Sequence, residues 1–205
     1  MSIFTIVATS FIVALSGAMS PGPLLAVTVN RSLTGGAKTG PLLITGHSIL
    51  ELLLVIFLVA GFKTYLTHPV FTKIYSIVGG CLLMGMAFGM VWKPVPDLSG
   101  LKVRNNAGSS IFAGVLVSLS NPYWAIWWIT IGITYLSIVS PRGVAGISAF
   151  FFGHIGADFL WYSIVSFFVS RGKQRIKPGI YAFISIFCGI FLAVFGISLI
   201  AKAII

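Results

Sequence analysis

Six apolar runs divide the chain, each at least about the twenty residues needed to cross roughly 30 Å of hydrocarbon at about 1.5 Å per residue. They lie at Ile3–Val29, Pro41–Phe62, Val70–Trp92, Ser109–Val139, Val144–Val169 and Gly179–Ala201. The pattern predicts six transmembrane helices. The longest polar connection, Lys93 to Gly108, holds Pro94, Pro96, Gly100 and Asn105-Asn106 and is too short for a soluble domain, so a single transmembrane domain over residues 1–205 is expected. No lysine or arginine precedes Arg31, and the first run is longer than a signal-peptide apolar core, so it reads as a retained span.

Two of the six runs are interrupted by proline. The first contains Ser20-Pro21-Gly22-Pro23 and the fourth contains Ser120-Asn121-Pro122. A proline removes a backbone donor, fixes φ and pushes the preceding residue out of the α region, so each of these helices should break. A lone proline kink is common in membrane helices. A pair at corresponding places points instead to the discontinuous helices that build substrate sites, because half-helix N-termini carry positive partial charge. Ser20, Pro21, Gly22, Pro23, Asn121 and Pro122 are therefore candidate substrate-binding residues.

A shift of 107 positions carries Gly36 onto Gly143, Gly46 onto Gly153, His47 onto His154, Leu53 onto Leu160, Cys81 onto Cys188 and Gly89 onto Gly196. This predicts a duplicated three-span unit, residues about 1–105 and about 106–205. Three spans is an odd number, so the second copy enters the membrane inverted. The expected fold is an all-α membrane protein of two inverted three-helix repeats, the first helix of each broken by proline, with a site between the copies near the midplane.

Composition agrees with the pattern: 58% of residues are hydrophobic and 8% charged, and the mean hydropathy is +1.06. The net charge of +10 resides in the connections and forms no basic face interleaved with aromatics, which excludes a nucleic-acid partner. One set of alternate connections carries nine of the cations (Arg31, Lys38, Lys93, Lys102, Arg104, Arg171, Lys173, Arg175 and Lys177) and the other carries four (Lys63, Lys73, Arg142 and Lys202). The positive-inside rule places the nine in the cytoplasm and both termini outside, in a multi-pass plasma-membrane protein whose basic side meets anionic headgroups of the lipid bilayer.

The chemistry lies in two matched clusters, Gly46-His47-Ser48-Ile49-Leu50-Glu51 and Gly153-His154-Ile155-Gly156-Ala157-Asp158. Glu51 and Asp158 are two of only three acids in the chain. Ionisable groups inside hydrocarbon are costly and mark function by default. On a helix, His47 and Glu51 share a face one turn apart, as do His154 and Asp158. Their heights along the spans predict a ladder across the midplane. Three readings stay open: a proton or substrate-ammonium site, a divalent-metal site with His47, Glu51, His154 and Asp158 as ligands, and a structural lock between helices.

Cys81 and Cys188 also coincide under the repeat, which admits a thiol–disulfide electron carrier as a distant alternative. They sit among Gly, Leu and Phe and read better as small apolar packing residues. Neither a metalloprotease His-Glu-x-x-His, a hydrolase Gly-x-Ser-x-Gly nor a phosphate loop occurs, so no enzymatic activity is expected. The run Tyr123-Trp124-Ala125-Ile126-Trp127-Trp128 reads as packing, with a cation–π wall as the sharper option.

Ser20-Pro21-Gly22-Pro23 late in the first span, Arg31-Ser32-Leu33-Thr34-Gly35-Gly36, the Gly-rich second span and Ser120-Asn121-Pro122 together resemble the amino-acid exporter family of the lysine exporter (LysE/RhtB) type, over the whole chain in length, span count and motif order. The resemblance implies six spans, no prosthetic group and efflux of amino acids or similar small metabolites. The combined expectation is a secondary transporter exporting such a small-molecule substrate by proton antiport, with a divalent metal cation exporter as the alternative. A homo-oligomer is compatible with the sequence.

Overall fold

The computed structural model describes residues 1–20, 22–61, 69–92, 106–172 and 178–204. Among these residues every regular element is helical. In chain order they are α1 (Ile3–Ala18), α2 (Pro23–Gly35), α3 (Thr39–Val59), α4 (Pro69–Val91), α5 (Ala107–Leu119), α6 (Pro122–Trp127), a π-helical turn (Trp128–Gly132), α7 (Ile133–Val139), a 3-10 turn (Ser140–Arg142), α8 (Gly143–Gly172) and α9 (Pro178–Ile204).

Local chemistry explains the ends. Ser2 Oγ accepts from Thr5 N at the start of α1, and Asn106 Oδ1 accepts from Ser109 N at the start of α5, each relieving one of the unpaired amides of a first turn. Pro23 occupies the first turn of α2, where its missing N–H is no loss. Gly36 ends α2 at φ 80 and Gly143 opens α8 at φ 60, left-handed conformations that favour glycine.

Both expected breaks are present. The axes of α1 and α2 meet at 74° across residues 19–22, and α5 stops at Leu119 before the chain restarts at Pro122. Three stretches are long and apolar enough to cross a membrane by themselves, Thr39–Val59, Ile133–Gly172 and Ala182–Ala201, and the bent α1–α2 pair makes a fourth. Ser76–Val91 and Ala107–Leu119 are shorter apolar helices. Large apolar side chains such as Phe4, Phe88, Phe152, Phe168 and Phe183 stand exposed, as expected of a lipid-facing surface.

Glycine sets the helix spacing. On α3, Gly46 lies against the Ile111 carbonyl of α5, and Gly114 of α5 lies against the Leu43 carbonyl of α3. On α8, Gly153 packs against the Val7 carbonyl of α1, and Ser10 of α1 donates to the Phe150 carbonyl at 2.6 Å. Gly80 of α4 and Gly196 of α9 face one another's carbonyls at 2.7 and 2.8 Å from the missing Cβ atoms. Backbones approach this closely only where side chains are absent. α3 and α8 run antiparallel and touch at Gly40, which meets the Tyr162 carbonyl, while Ser166 Oγ donates to the Ala37 carbonyl at 2.8 Å.

Candidate functional site

The antiparallel crossing of α3 and α8 brings the two His-acid clusters together. His47 comes opposite Asp158 and Glu51 opposite His154. Nε2 of His47 lies 3.2 Å from Glu51 Oε1 on its own helix and 3.6 Å from Asp158 Oδ2 across the interface. Nε2 of His154 lies 3.5 Å from Asp158 Oδ2 on its own helix and 3.0 Å from Glu51 Oε2 across it. All four residues are buried, Glu51 most completely at 1% exposure. The expected ladder is therefore a closed quartet: facing turns of antiparallel helices stand side by side instead of being spread along the membrane normal.

Neighbouring elements hold the quartet in place. Ser118 on α5 hydrogen-bonds His47 Nδ1 at 2.8 Å. Two indoles donate to one carboxylate oxygen: Trp124 Nε1 of α6 reaches Glu51 Oε1 at 2.9 Å and Trp128 Nε1 of the π-helical turn reaches it at 2.8 Å. The Trp128 ring, 2% exposed, has room because residue 132 is glycine; a Cβ there would strike it. Asp158 is held more loosely. Among the described residues neither of its oxygens receives an indole, and its Oδ2 is buried without a hydrogen bond, as are Glu51 Oε2 and His154 Nδ1.

The quartet forms one wall of a cavity of about 240 Å³. The end of α1 contributes Ala14, Gly17, Ala18 and then Ser20, the start of α2 contributes Leu24, and the second break contributes Asn121, Trp124 and Trp127. Thus Ser20, Asn121, His47, Glu51, His154 and Asp158 share one chamber. Gly22 caps α2 and Pro23 opens it, next to Leu24, and Pro122 opens α6. Pro21 lies outside the described residues. The Trp127 ring stands 4.5 Å from that of His154, centroid to centroid. Cys81 and Cys188 are free thiols on α4 and α9 and are not part of the cavity lining.

The family model of the LysE type translocators matches residues 15–203, a stretch that holds both helix breaks and all four members of the quartet. The chain belongs to the LysE type translocator family. Comparisons with curated proteins and with solved structures give no match. Membership makes the protein a membrane translocator, and the several apolar helices make it multi-pass.

Within this LysE type translocator, two contributions to the site were not anticipated from sequence. The tryptophan run reads as packing or as a cation–π wall, yet Trp124 and Trp128 serve as hydrogen-bond donors to Glu51. The usable signal is chemical: a buried indole N–H seeks an acceptor, and a chain with three acids offers few. Ser118 carries no signal beyond its place in a helix that packs on α3.

Proposed function

We propose that this translocator is a secondary exporter of an amino acid or a similar small metabolite, driven by proton influx, with six spans arranged as two inverted three-helix repeats. The observation that carries the reading is the buried quartet, one histidine and one carboxylate from each half, on the cavity between the two helix breaks. A cavity of about 240 Å³ is smaller than the roughly 300–1,000 Å³ of sites for drug-sized ligands. It suits a small metabolite. The α2 terminus at Gly22 and Pro23 is a half-helix N-terminus suited to a carboxylate group, and the quartet's acids suit an ammonium group. A proton and a substrate ammonium that compete for the same carboxylates cannot occupy the site together, and that exclusion is what antiport requires.

Packing supports the inverted repeat. Val7 meets Gly153 as Ile111 meets Gly46, and Ser10 meets Phe150 as Gly114 meets Leu43. The first helix of each half thus packs on the second long helix of the other half through matching pairs. The equivalent helices α3 and α8 run antiparallel, as inversion demands. With the arginine- and lysine-rich connections in the cytoplasm, both termini face outward in the plasma membrane.

A divalent metal cation as cargo is the second reading, favoured by one observation: a ligand atom from each of the four residues lies within 4.8 Å of all the others. Tetrahedral ligands about 2.1 Å from a zinc ion stand about 3.4 Å apart, so a bound ion would draw the quartet inward. Proteoliposomes separate the two readings. Proton flux driven by amino acids, and lost in a Glu51→Gln, Asp158→Asn double variant, supports the exporter of small metabolites; flux driven only by Zn²⁺ or Mn²⁺ turns the assignment to metal.

A further inference from the structure

The two carboxylates of the quartet are not held alike. Glu51 Oε1 receives two indole hydrogen bonds, at 2.9 and 2.8 Å, with the His47 imidazole 3.2 Å away, and Oε2 has the His154 imidazole at 3.0 Å. Its side chain is 1% exposed. Its Oε1 is doubly hydrogen-bonded, while its Oε2 has the close His154 imidazole beside it but no hydrogen bond among the described residues. Asp158 presents 8% of its side chain, lines the cavity, and has its nearest imidazole contacts at 3.5 and 3.6 Å, beyond good hydrogen-bond distance for N–H donors. Its Oδ2 is buried without a hydrogen bond among the described residues.

The geometry points to a division of labour: Asp158 is the carboxylate that takes the ammonium group of the substrate, and Glu51 is a positioning residue that fixes the imidazoles and the tryptophan wall. The inference rests on the exporter reading of this cavity and deepens it by assigning the ammonium group to one of the two carboxylates. A buried carboxylate short of donors is stabilised by a ligand that brings N–H groups, and an ammonium brings three. Glu51 also borders the cavity, but its Oε1 already accepts two indole N–H groups and its imidazole contacts are shorter, so an arriving ammonium has more to displace there than at Asp158. His47 and His154 face Asp158 from α3 and from its own helix, and Tyr162, a turn further along α8, lines the same cavity. The position of Asp158 beside both imidazoles lets an arriving ammonium compete directly with a proton held there.

The test uses the full-length protein in nanodiscs, with ethylammonium chloride as the probe at constant ionic strength and ZnCl₂ in parallel. Tryptophan emission reports binding, since Trp124 and Trp127 line the cavity, and the melting midpoint of the ligand-free protein reports structure. The expected result is a saturable response to ethylammonium that weakens tenfold or more in Asp158→Asn, with little change in that variant's ligand-free midpoint. Glu51→Gln should instead lower the midpoint while the folded fraction still responds. If Glu51→Gln does not fold, Trp124→Phe, which removes one indole donor, should show the same split. Wild-type protein that gives no saturable response, Asp158→Asn that binds as wild type, or equal losses of binding in both carboxylate variants would overturn the assignment, as would a response to zinc alone. Substrate-driven proton flux without ethylammonium binding would reject this inference and leave the exporter intact; Asp158-dependent binding with no flux for any substrate would reject the exporter and leave the ammonium site.

Discussion

Replacing Trp128 with phenylalanine isolates what the indole gives to Glu51. The ring is 2% exposed and its N–H lies 2.8 Å from a carboxylate oxygen, so phenylalanine keeps most of the packing and deletes the donor. Hydrogen bonds to charged groups are worth about 1.5–3 kcal/mol, whereas interhelical hydrogen bonds measured in a membrane protein average about 0.6 and reach about 1.7 kcal/mol. A buried charged acceptor belongs near the top of the second range, which gives about 1.5 kcal/mol for the bond. The smaller ring leaves a void worth about 1 kcal/mol more. The single variant should therefore lose about 2.5 kcal/mol. Reversible unfolding in mixed micelles, carried through the cycle of wild type, Trp128→Phe, Glu51→Leu and the double variant, should return a coupling of about 1.5 kcal/mol, because each single variant removes the same bond and leucine, unlike glutamine, offers the indole no acceptor. Gly132→Ala, which pushes on the indole without removing it, should cost stability in the same direction. A coupling below about 0.3 kcal/mol, within the scatter of independent sites, would refute the view that the indole anchors the carboxylate.

Gly46→Ala or Gly114→Ala should cost about 1–3 kcal/mol by forcing α3 from α5, while Gly85→Ala and Gly89→Ala, with open space at the Cβ position, should stay within about 0.5 kcal/mol of wild type in the same unfolding assay. Ser118→Ala strands His47 Nδ1 and should cost about 1–3 kcal/mol. Ala14 stands four residues beyond Ser10 as Ser118 stands four beyond Gly114, so Ala14→Ser should offer His154 Nδ1, which has no hydrogen bond among the described residues, a partner and raise the melting midpoint, a gain of about 1 kcal/mol. Pro23→Ala combined with Pro122→Ala should lower transport in proteoliposomes by tenfold or more without preventing insertion, whereas Pro69→Ala, at the start of α4, should leave it near wild type.

Much of this arrangement was legible in the chain itself. Apolar runs and proline positions locate the helices and both breaks because membrane helices satisfy their own backbone and announce their length in hydropathy. The i, i+4 spacing of His47 and Glu51, and of His154 and Asp158, already put each pair on one face. The crossing of α3 and α8 was not legible: whether two paired faces stack into a ladder or close into a quartet depends on where Gly40 lets the backbones meet, and periodicity carries no distance. The proposed repeat shows in the chain only in part. Gly46 and Gly153 differ by 107 positions, but the packing equivalents Val7 and Ile111 differ by 104, so a single shift cannot align both the first helices and the long ones. The tryptophan donors escaped because an apolar ring outweighs one N–H in any reading by hydropathy.

Each imidazole of the quartet has a carboxylate on its own helix as well as one across the interface. That redundancy bears on how the protein moves. Leaving one member of a buried ion pair alone costs about 3–5 kcal/mol, a barrier that would weld α3 to α8 if the only pairs ran between them. Here each helix also carries a histidine–carboxylate contact of its own, 3.2 Å on α3 and 3.5 Å on α8, so helices that part need leave no imidazole without a carboxylate beside it. The interface has the form of a clasp with two complete halves, and a relative movement of α3 and α8 would exchange partners instead of breaking them.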